Sequence, residues 1–379
     1  MAVEQTPARR AHARRAPMAS EPGGRLIELI SGARRVALVG LAKNTGKTQT
    51  LGAILAEHDG EGMNVGVTSI GRDGEEHDVI DARIQKPRIH LREGTLLATT
   101  AGLLRASGLS HERLRQTGVR TPLGEVVVAR LAEAGIVEVA GPSGAIDVRA
   151  VSEAMEELGA ERVLIDGAID RRAASSPEVA DGLVMATGAV LGRDPAQVVA
   201  STANAVELVR LPRAAGVDAR AWEAPAGTPR DDGEPAASEH DGQLLLSRRL
   251  LLGAEPEQIA ALLRAHSRAD TLLVRGALGE RFLEGLLLAR VERAGRALRI
   301  VAADPTKVFL SRRGPDWYRR QGIAIEVLHT IELKAITVNP LSPQSHSFDS
   351  KELRELIRAA VADVAVVDVL DPSYGGGPG

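Results

Sequence analysis

The chain has 379 residues, a length that predicts roughly two to three domains. Its 47 Lys and Arg against 50 Asp and Glu leave a net charge of −3, which excludes an overall basic nucleic-acid binder. Cysteine is absent, and that removes disulfides, thiolate metal sites, iron–sulfur clusters and thiol catalysis together.

Aromatic residues are 2% of the chain, so the core is expected to be aliphatic and stacking platforms for single-stranded nucleic acid are not expected. No apolar run approaches the ~18 residues of a membrane span, and the chain reads as a cytoplasmic protein. Residues 1–24 carry Arg9, Arg10, Arg14 and Arg15 among Ala, Pro and Gly, and read as a disordered basic tail. No apolar stretch follows Met18, which argues against an export signal.

From Arg25 the pattern is that of an α/β protein. Leu26, Ile27, Leu29 and Ile30 suit a short helix face, and Val36-Ala-Leu-Val-Gly40 is a buried-strand run. A helix is predicted over 48–58, then strands at 64–70, 125–130 and 136–139, a helix at 148–158, and strands at 162–165 and 183–186. This alternation predicts one domain with a mainly parallel sheet over 25–212. Residues 213–241, rich in Ala, Gly, Pro, Asp and Glu, read as a low-complexity loop or linker.

A second, smaller α/β domain is expected over 242–372. Its predicted elements are strands at 271–274, 298–302, 323–328, 335–338 and 364–369, with helices at 280–291 and 350–361. Residues 373–379 read as a frayed tail. One internal echo joins the two units: Val163-Leu-Ile-Asp-Gly-Ala168 resembles Leu272-Leu-Val-Arg-Gly-Ala277, with Arg275 at the place of Asp166. That exchange suggests a catalytically silent second unit, testable in a chain ending before Arg213.

The sharpest motif is the segment between the first strand and its helix, Gly40-Leu-Ala-Lys43-Asn44-Thr45-Gly46-Lys47-Thr48. Glycine lets backbone N–H groups fold round a polyphosphate, and the helix N-terminus adds unsatisfied donors. Lys47 is placed to neutralise phosphate, Thr48 to put its hydroxyl on Mg²⁺, and Lys43 to bring a second cation. The spacing departs from Gly-x₄-Gly-Lys-Thr, because Gly40 lies one position early and Leu41 stands where glycine is expected. Asp166, closing an apolar strand, is the candidate magnesium carboxylate, and Asp73, closing the strand after the first helix, is a second acid candidate. Thr187-Gly188, Asp304-Pro-Thr-Lys307 and Val338-Asn-Pro-Leu-Ser-Pro343 end further strands, where contacts to nucleotide or partner are possible alongside plain turns.

Ala42-Lys-Asn-Thr-Gly-Lys-Thr48, Thr68-Ser-Ile-Gly-Arg-Asp-Gly-Glu75, Lys86-Pro-Arg-Ile89, Arg92-Glu-Gly-Thr95, Ile165-Asp-Gly-Ala168 and Ala174-Ser-Ser-Pro177 together resemble one group. It is the P-loop ATP-binding reactivase subunit family associated with cobalamin-dependent lysine 5,6-aminomutase. The resemblance implies a cytoplasmic ATPase that helps exchange damaged cobalamin out of the mutase, alongside a second reactivase subunit. It also implies that Lys43, Lys47, Thr48, Asp73 and Asp166 serve ATP and magnesium.

The leading expectation is thus a Mg-dependent P-loop ATPase that remodels a client enzyme. A small-molecule kinase or ATP-dependent ligase of the dethiobiotin-synthetase type, and a nucleotide sensor without turnover, are the alternatives. The absence of an Asn-Lys-x-Asp guanine signature favours ATP over GTP.

Overall fold

The structure is a computed structural model that describes residues 24–71, 88–168, 175–217, 222, 237–240, 242–246, 255–292 and 297–374. Up to residue 217 the chain runs α1 (Leu26–Leu29), β1 (Arg35–Gly40), α2 (Lys47–Gly60), β2 (Val65–Ser69), β3 (Arg88–Leu91), β4 (Leu96–Thr100), α3 (Ala101–Ala106), β5 (His111–Thr121), β6 (Gly124–Leu131), β7 (Gly135–Glu138), α4 (Ala145–Glu157), β8 (Arg162–Ala168), β9 (Gly182–Gly188) and α5 (Pro195–Val209). It continues through β10 (Ala237–His240), β11 (Gln243–Leu246), α6 (Pro256–Ala265), β12 (Thr271–Val274), β13 (Leu278–Gly279), α7 (Glu280–Glu292), β14 (Leu298–Ala302), β15 (Val308–Phe309), α8 (Pro315–Arg320) and β16 (Ile323–Val327). It closes with β17 (Glu332–Asn339), α9 (Ser350–Ala360) and β18 (Ala365–Val367).

Among the described residues, nine strands form the larger sheet in the order β18-β17-β9-β1-β8-β2-β4-β6-β5. From β18 to β4 every neighbouring pair is parallel, and β6 and β5 add antiparallel to that edge. The central strands are continuous apolar runs because both of their faces are covered. Side chains alternate between the faces. Val39, Ile165, Met185 and Val338 meet Val148 and Met155 of α4, Val198 of α5 and Ile357 of α9. Leu38, Leu164, Val184 and Ala335 meet Leu26 of α1, Leu51 and Ile54 of α2 and Leu104 of α3. The result is a mixed α/β fold with a large, mostly parallel sheet between two helical layers. β5, with Glu112 and three arginines, forms one edge, where charge blunts further strand pairing.

A smaller sheet, β10-β11-β12-β14-β16, is parallel apart from β10. One face packs on Ile259 and Leu263 of α6, Phe282 and Leu286 of α7 and Tyr318 of α8. The segments leading into and out of it touch: Ala214 N–H donates to Val327 O (2.7 Å) and Val327 N–H to Pro212 O (2.9 Å).

The topology corrects the expected boundary of the second unit. Strands read at 335–338 and 364–369 do not belong to a domain over 242–372, because β17 pairs with β9 and β18 with β17 in the larger sheet. The residues of β17 from Ala335 to Asn339 are all buried, and only a place between two strands under helices on both faces satisfies such a run. The expected linker over 213–241 contains β10, which pairs antiparallel with β11. Tyr374, assigned to a frayed tail, is docked: it donates to Glu57 Oε1 (2.5 Å) and accepts from the Leu26 N–H (3.0 Å). The basic tail expected at the N-terminus lies outside the described residues. Among the described residues no helix is long and apolar enough to cross a membrane.

Candidate functional site at the carboxyl ends of the larger sheet

β1 lies between β8 and β9, so the chain passes from one side of β1 to the other between these consecutive strands. In open α/β sheets the crevice at such a crossing, outside the carboxyl ends of the strands, is where ligands bind. The glycine-rich loop starts at this point. Leu41 N–H donates to Ala186 O of β9 (2.9 Å), and a turn closed by Thr45 Oγ1 on Ala42 O (3.0 Å) turns the chain into α2.

Two glycines are required by contact. A Cβ on Gly40 would sit 2.5 Å from Thr45 Oγ1. Gly46 has φ +89° and faces the Asn339 Cβ, which a Cβ of its own would meet at 3.0 Å. Asn44 also adopts a positive φ, 66°. In this path the backbone N–H groups of residues 43–49 find no acceptor among the described residues. Helices α3, α5 and α9 are capped by the side chains of Thr100, Asp194 and Asp349, whereas α2 starts from Gly46 with no side-chain cap. Its first turn therefore presents a set of unsatisfied donors and the positive end of a helix dipole.

Lys47, the first residue of α2, reaches across to Asp166 of β8, with Nζ 2.6 Å from Oδ1. Their side chains are 21% and 10% exposed. Asp166 lies level with Leu38 of β1, two residues below the end of that strand at Gly40, and with Ser69, the last residue of β2, so the pair sits low in the crevice beside β1. The same helix and strand meet again at their far ends. The buried His58 ring accepts at Nε2 from Arg162 Nη1 (2.6 Å) and donates from Nδ1 to Ile54 O (2.7 Å). Burial pushes the His58 pKa down, the Ile54 carbonyl pulls it up, and Arg162 adds to the lowering. These two contacts fix α2 against β8 at both ends.

Of the residues expected at the site, Gly40, Thr45, Gly46, Lys47 and Asp166 come together in this crevice, with Lys43, Asn44 and Thr48 exposed at its mouth. Asp73 lies outside the described residues. Thr187 serves the fold: its buried hydroxyl donates to Thr202 Oγ1 (2.7 Å), which donates to Val198 O (2.7 Å). Asp304 caps its own turn through the Thr306 N–H (2.7 Å).

Two partners of the loop were not read as such from the sequence. Asn339 Nδ2 donates to Asn44 O (3.1 Å) while its Oδ1 accepts from the Leu341 N–H (3.1 Å). Thr50 donates to Gly46 O (3.1 Å) and accepts from Thr337 Oγ1 (2.7 Å). The signal for both was the strand-ending Val338-Asn-Pro, placed in the wrong sheet.

Chemically, the free N–H groups with the Lys47 ammonium suit a polyanion. The Thr48 hydroxyl and Asp166 carboxylate are oxygen donors of the kind magnesium takes, one or two per site with water and phosphate supplying the rest. Among the described residues no group of three or more His, Asp or Glu side chains is arranged to hold a metal ion alone. Comparison with family models, with curated proteins and with solved structures finds no match in any of the three.

Proposed function

We propose that residues 40–48 are a phosphate-binding loop and that the protein is a P-loop ATP-binding protein of the cytoplasm, an ATPase acting with Mg²⁺. The single observation that carries this reading is the run of N–H groups without acceptors at the start of α2, with Lys47 held on Asp166 directly beneath. With nucleotide bound, Lys47 would pair with the β- and γ-phosphates in place of the Asp166 carboxylate, and Asp166 and Thr48 would then be the oxygen donors available to hold magnesium. Magnesium held there would neutralise phosphate charge.

A lysine that swaps one anion for another gives the site two states, and hydrolysis returns it to the first. This switch, together with the motif resemblance, supports remodelling of a client protein. The proposed client is a cobalamin-dependent aminomutase of the lysine 5,6-aminomutase type, with a second reactivase subunit as partner.

The test is magnesium-dependent ATP binding and turnover by the full chain beside Lys47→Ala. Binding with slow turnover, lost in the variant and accelerated by an inactivated aminomutase, supports the reading. A folded protein that binds neither ATP nor GTP overturns it. Turnover that needs a small-molecule acceptor would instead identify a kinase or ligase of the dethiobiotin-synthetase type, and binding without turnover a sensor.

A further inference from the structure

Arg275 follows the last residue of β12, a central strand of the smaller sheet. Its Nη2 is shut off from solvent and has no hydrogen-bond partner. The guanidinium makes no ion pair with any described residue. Arg275 as a whole is partly exposed, but a shut-off guanidinium nitrogen without an acceptor is costly, and native proteins rarely leave one unexplained. The carboxylates of the adjoining segments are engaged elsewhere. Asp304 accepts from the N–H and Oγ1 of its own Thr306. Glu280 accepts from the Ser311 N–H and hydroxyl, both at 2.8 Å, and from the Arg312 N–H at 2.6 Å.

Its place in the sheet is one where ligands bind in α/β proteins. Val274 lies level with Ala302 of β14, and β13 pairs in parallel with β15, which runs the segment after β12 beside the segment after β14. Both segments lie outside the carboxyl ends of parallel strands. Small residues, Gly276, Ala277 and Ala303, line the two turns. Lys307, in the second turn, also lacks a side-chain partner among the described residues. The larger sheet has an acid at the echoed position, Asp166, answered by Lys47; here the charge is reversed and no described residue answers it.

We infer that the smaller sheet carries a second ligand site, at the carboxyl ends of β12 and β14, where Arg275 and Lys307 bind a small molecule through its carboxylate or phosphate group. The planar guanidinium fork matches either group through two parallel hydrogen bonds, and Lys307 supplies a second charge. This site is separate from the phosphate loop and stands if that reading fails.

The test uses the full chain carrying Lys47→Ala, which silences the glycine loop. Inorganic phosphate and acetate are titrated separately at constant ionic strength while the melting temperature is followed. A ligand of the native state raises it in a saturable way. The expected result is a saturable rise with at least one anion, whose midpoint moves tenfold or more to higher concentration on adding Arg275→Gln. The anion with the lower midpoint identifies the phosphate or carboxylate class. No saturable rise with either anion, or an unchanged midpoint in Arg275→Gln, overturns the inference. Should circular dichroism find Arg275→Gln unfolded, Lys307→Gln decides: a midpoint moved several-fold supports the site, and an unmoved one overturns it.

Discussion

Asn339 donates its side-chain amide to the Asn44 carbonyl across 295 residues of sequence, and so fixes the glycine loop from a strand formed near the C-terminus. The contact holds Asn44 at its positive φ and seats Asn339 Cβ against Gly46. Asn339→Ala is expected to lower stability by about 1 kcal/mol, the worth of one hydrogen bond, and to weaken ATP binding several-fold by loosening the loop. Gly46→Ala is expected to cost more, about 1–2 kcal/mol for the left-handed backbone alone, with ATP binding lost. Urea unfolding and ATP titration of both variants check this. Equal affinity in Asn339→Ala and wild type would remove Asn339 from loop positioning.

Lys47 and Asp166 are partners before any nucleotide arrives, which makes their single variants unlike. Lys47→Ala leaves a nearly buried carboxylate unpaired and is expected to cost about 1–3 kcal/mol. It should also abolish ATP binding. Asp166→Asn frees Lys47 for phosphate, so ATP binding without magnesium should persist or strengthen while the magnesium dependence is lost. The loss of stability in the double variant should fall short of the sum of the two single losses by about 0.5–3 kcal/mol, the range for residues in contact. Additive losses in urea unfolding would mean that the 2.6 Å contact contributes nothing in solution.

The parts of this site written in consecutive residues were legible: strand, glycine loop and helix from Val36 to His58, and an acid closing the apolar run at Asp166. Asn339 was visible as the end of a strand but not as a neighbour of Asn44, because a buried apolar run carries no mark of the strand it pairs with. For the same reason β17 and β18 were assigned to the wrong sheet. The signals of α5 were present, with Asp194 accepting from the Ala196 N–H, Pro195 at the first helical position and Val198 and Val206 spaced along one face, though the sheet face it covers was not readable. β5 escaped because its polar, Arg-rich sequence, interrupted by register shifts, lacks an apolar stripe.

His58 makes stability depend on pH with a definite sign. Its pKa in the folded protein lies below the ordinary histidine value, chiefly through burial. Between the folded value and the unfolded value near 6.5, the unfolded chain binds more protons, so stability rises with pH. The contribution is full above about pH 6.5 and is lost as pH falls toward the folded pKa. His58→Gln keeps an acceptor for Arg162 and removes the titration. Its urea midpoint should therefore fall less than that of wild type between pH 7.5 and pH 5. Parallel curves would show that other groups set the acid limb.

The return of β17 and β18 changes how the smaller sheet should be removed. A chain ending before Arg213 loses both strands and α9, which exposes the face of β9 where Leu183 and Met185 pack with Ile336 and Val338. It is expected to lack a cooperative unfolding transition, so absent ATPase activity there would report only a missing strand. Excision is the informative alternative, because Arg213 bridges directly to Val327 and a short Gly-Ser linker can join residues 214 and 328. The cost is the exposure of Leu208 and Leu211, which pack against the smaller sheet's core. Full burial of one leucine contributes about 1.5–3 kcal/mol, which Leu211 forfeits whole and the half-buried Leu208 in part, so both should be changed to polar residues in the same chain. That protein should unfold cooperatively in urea and retain Lys47-dependent ATP binding. If it folds and binds no ATP, the smaller sheet contributes directly to the nucleotide site.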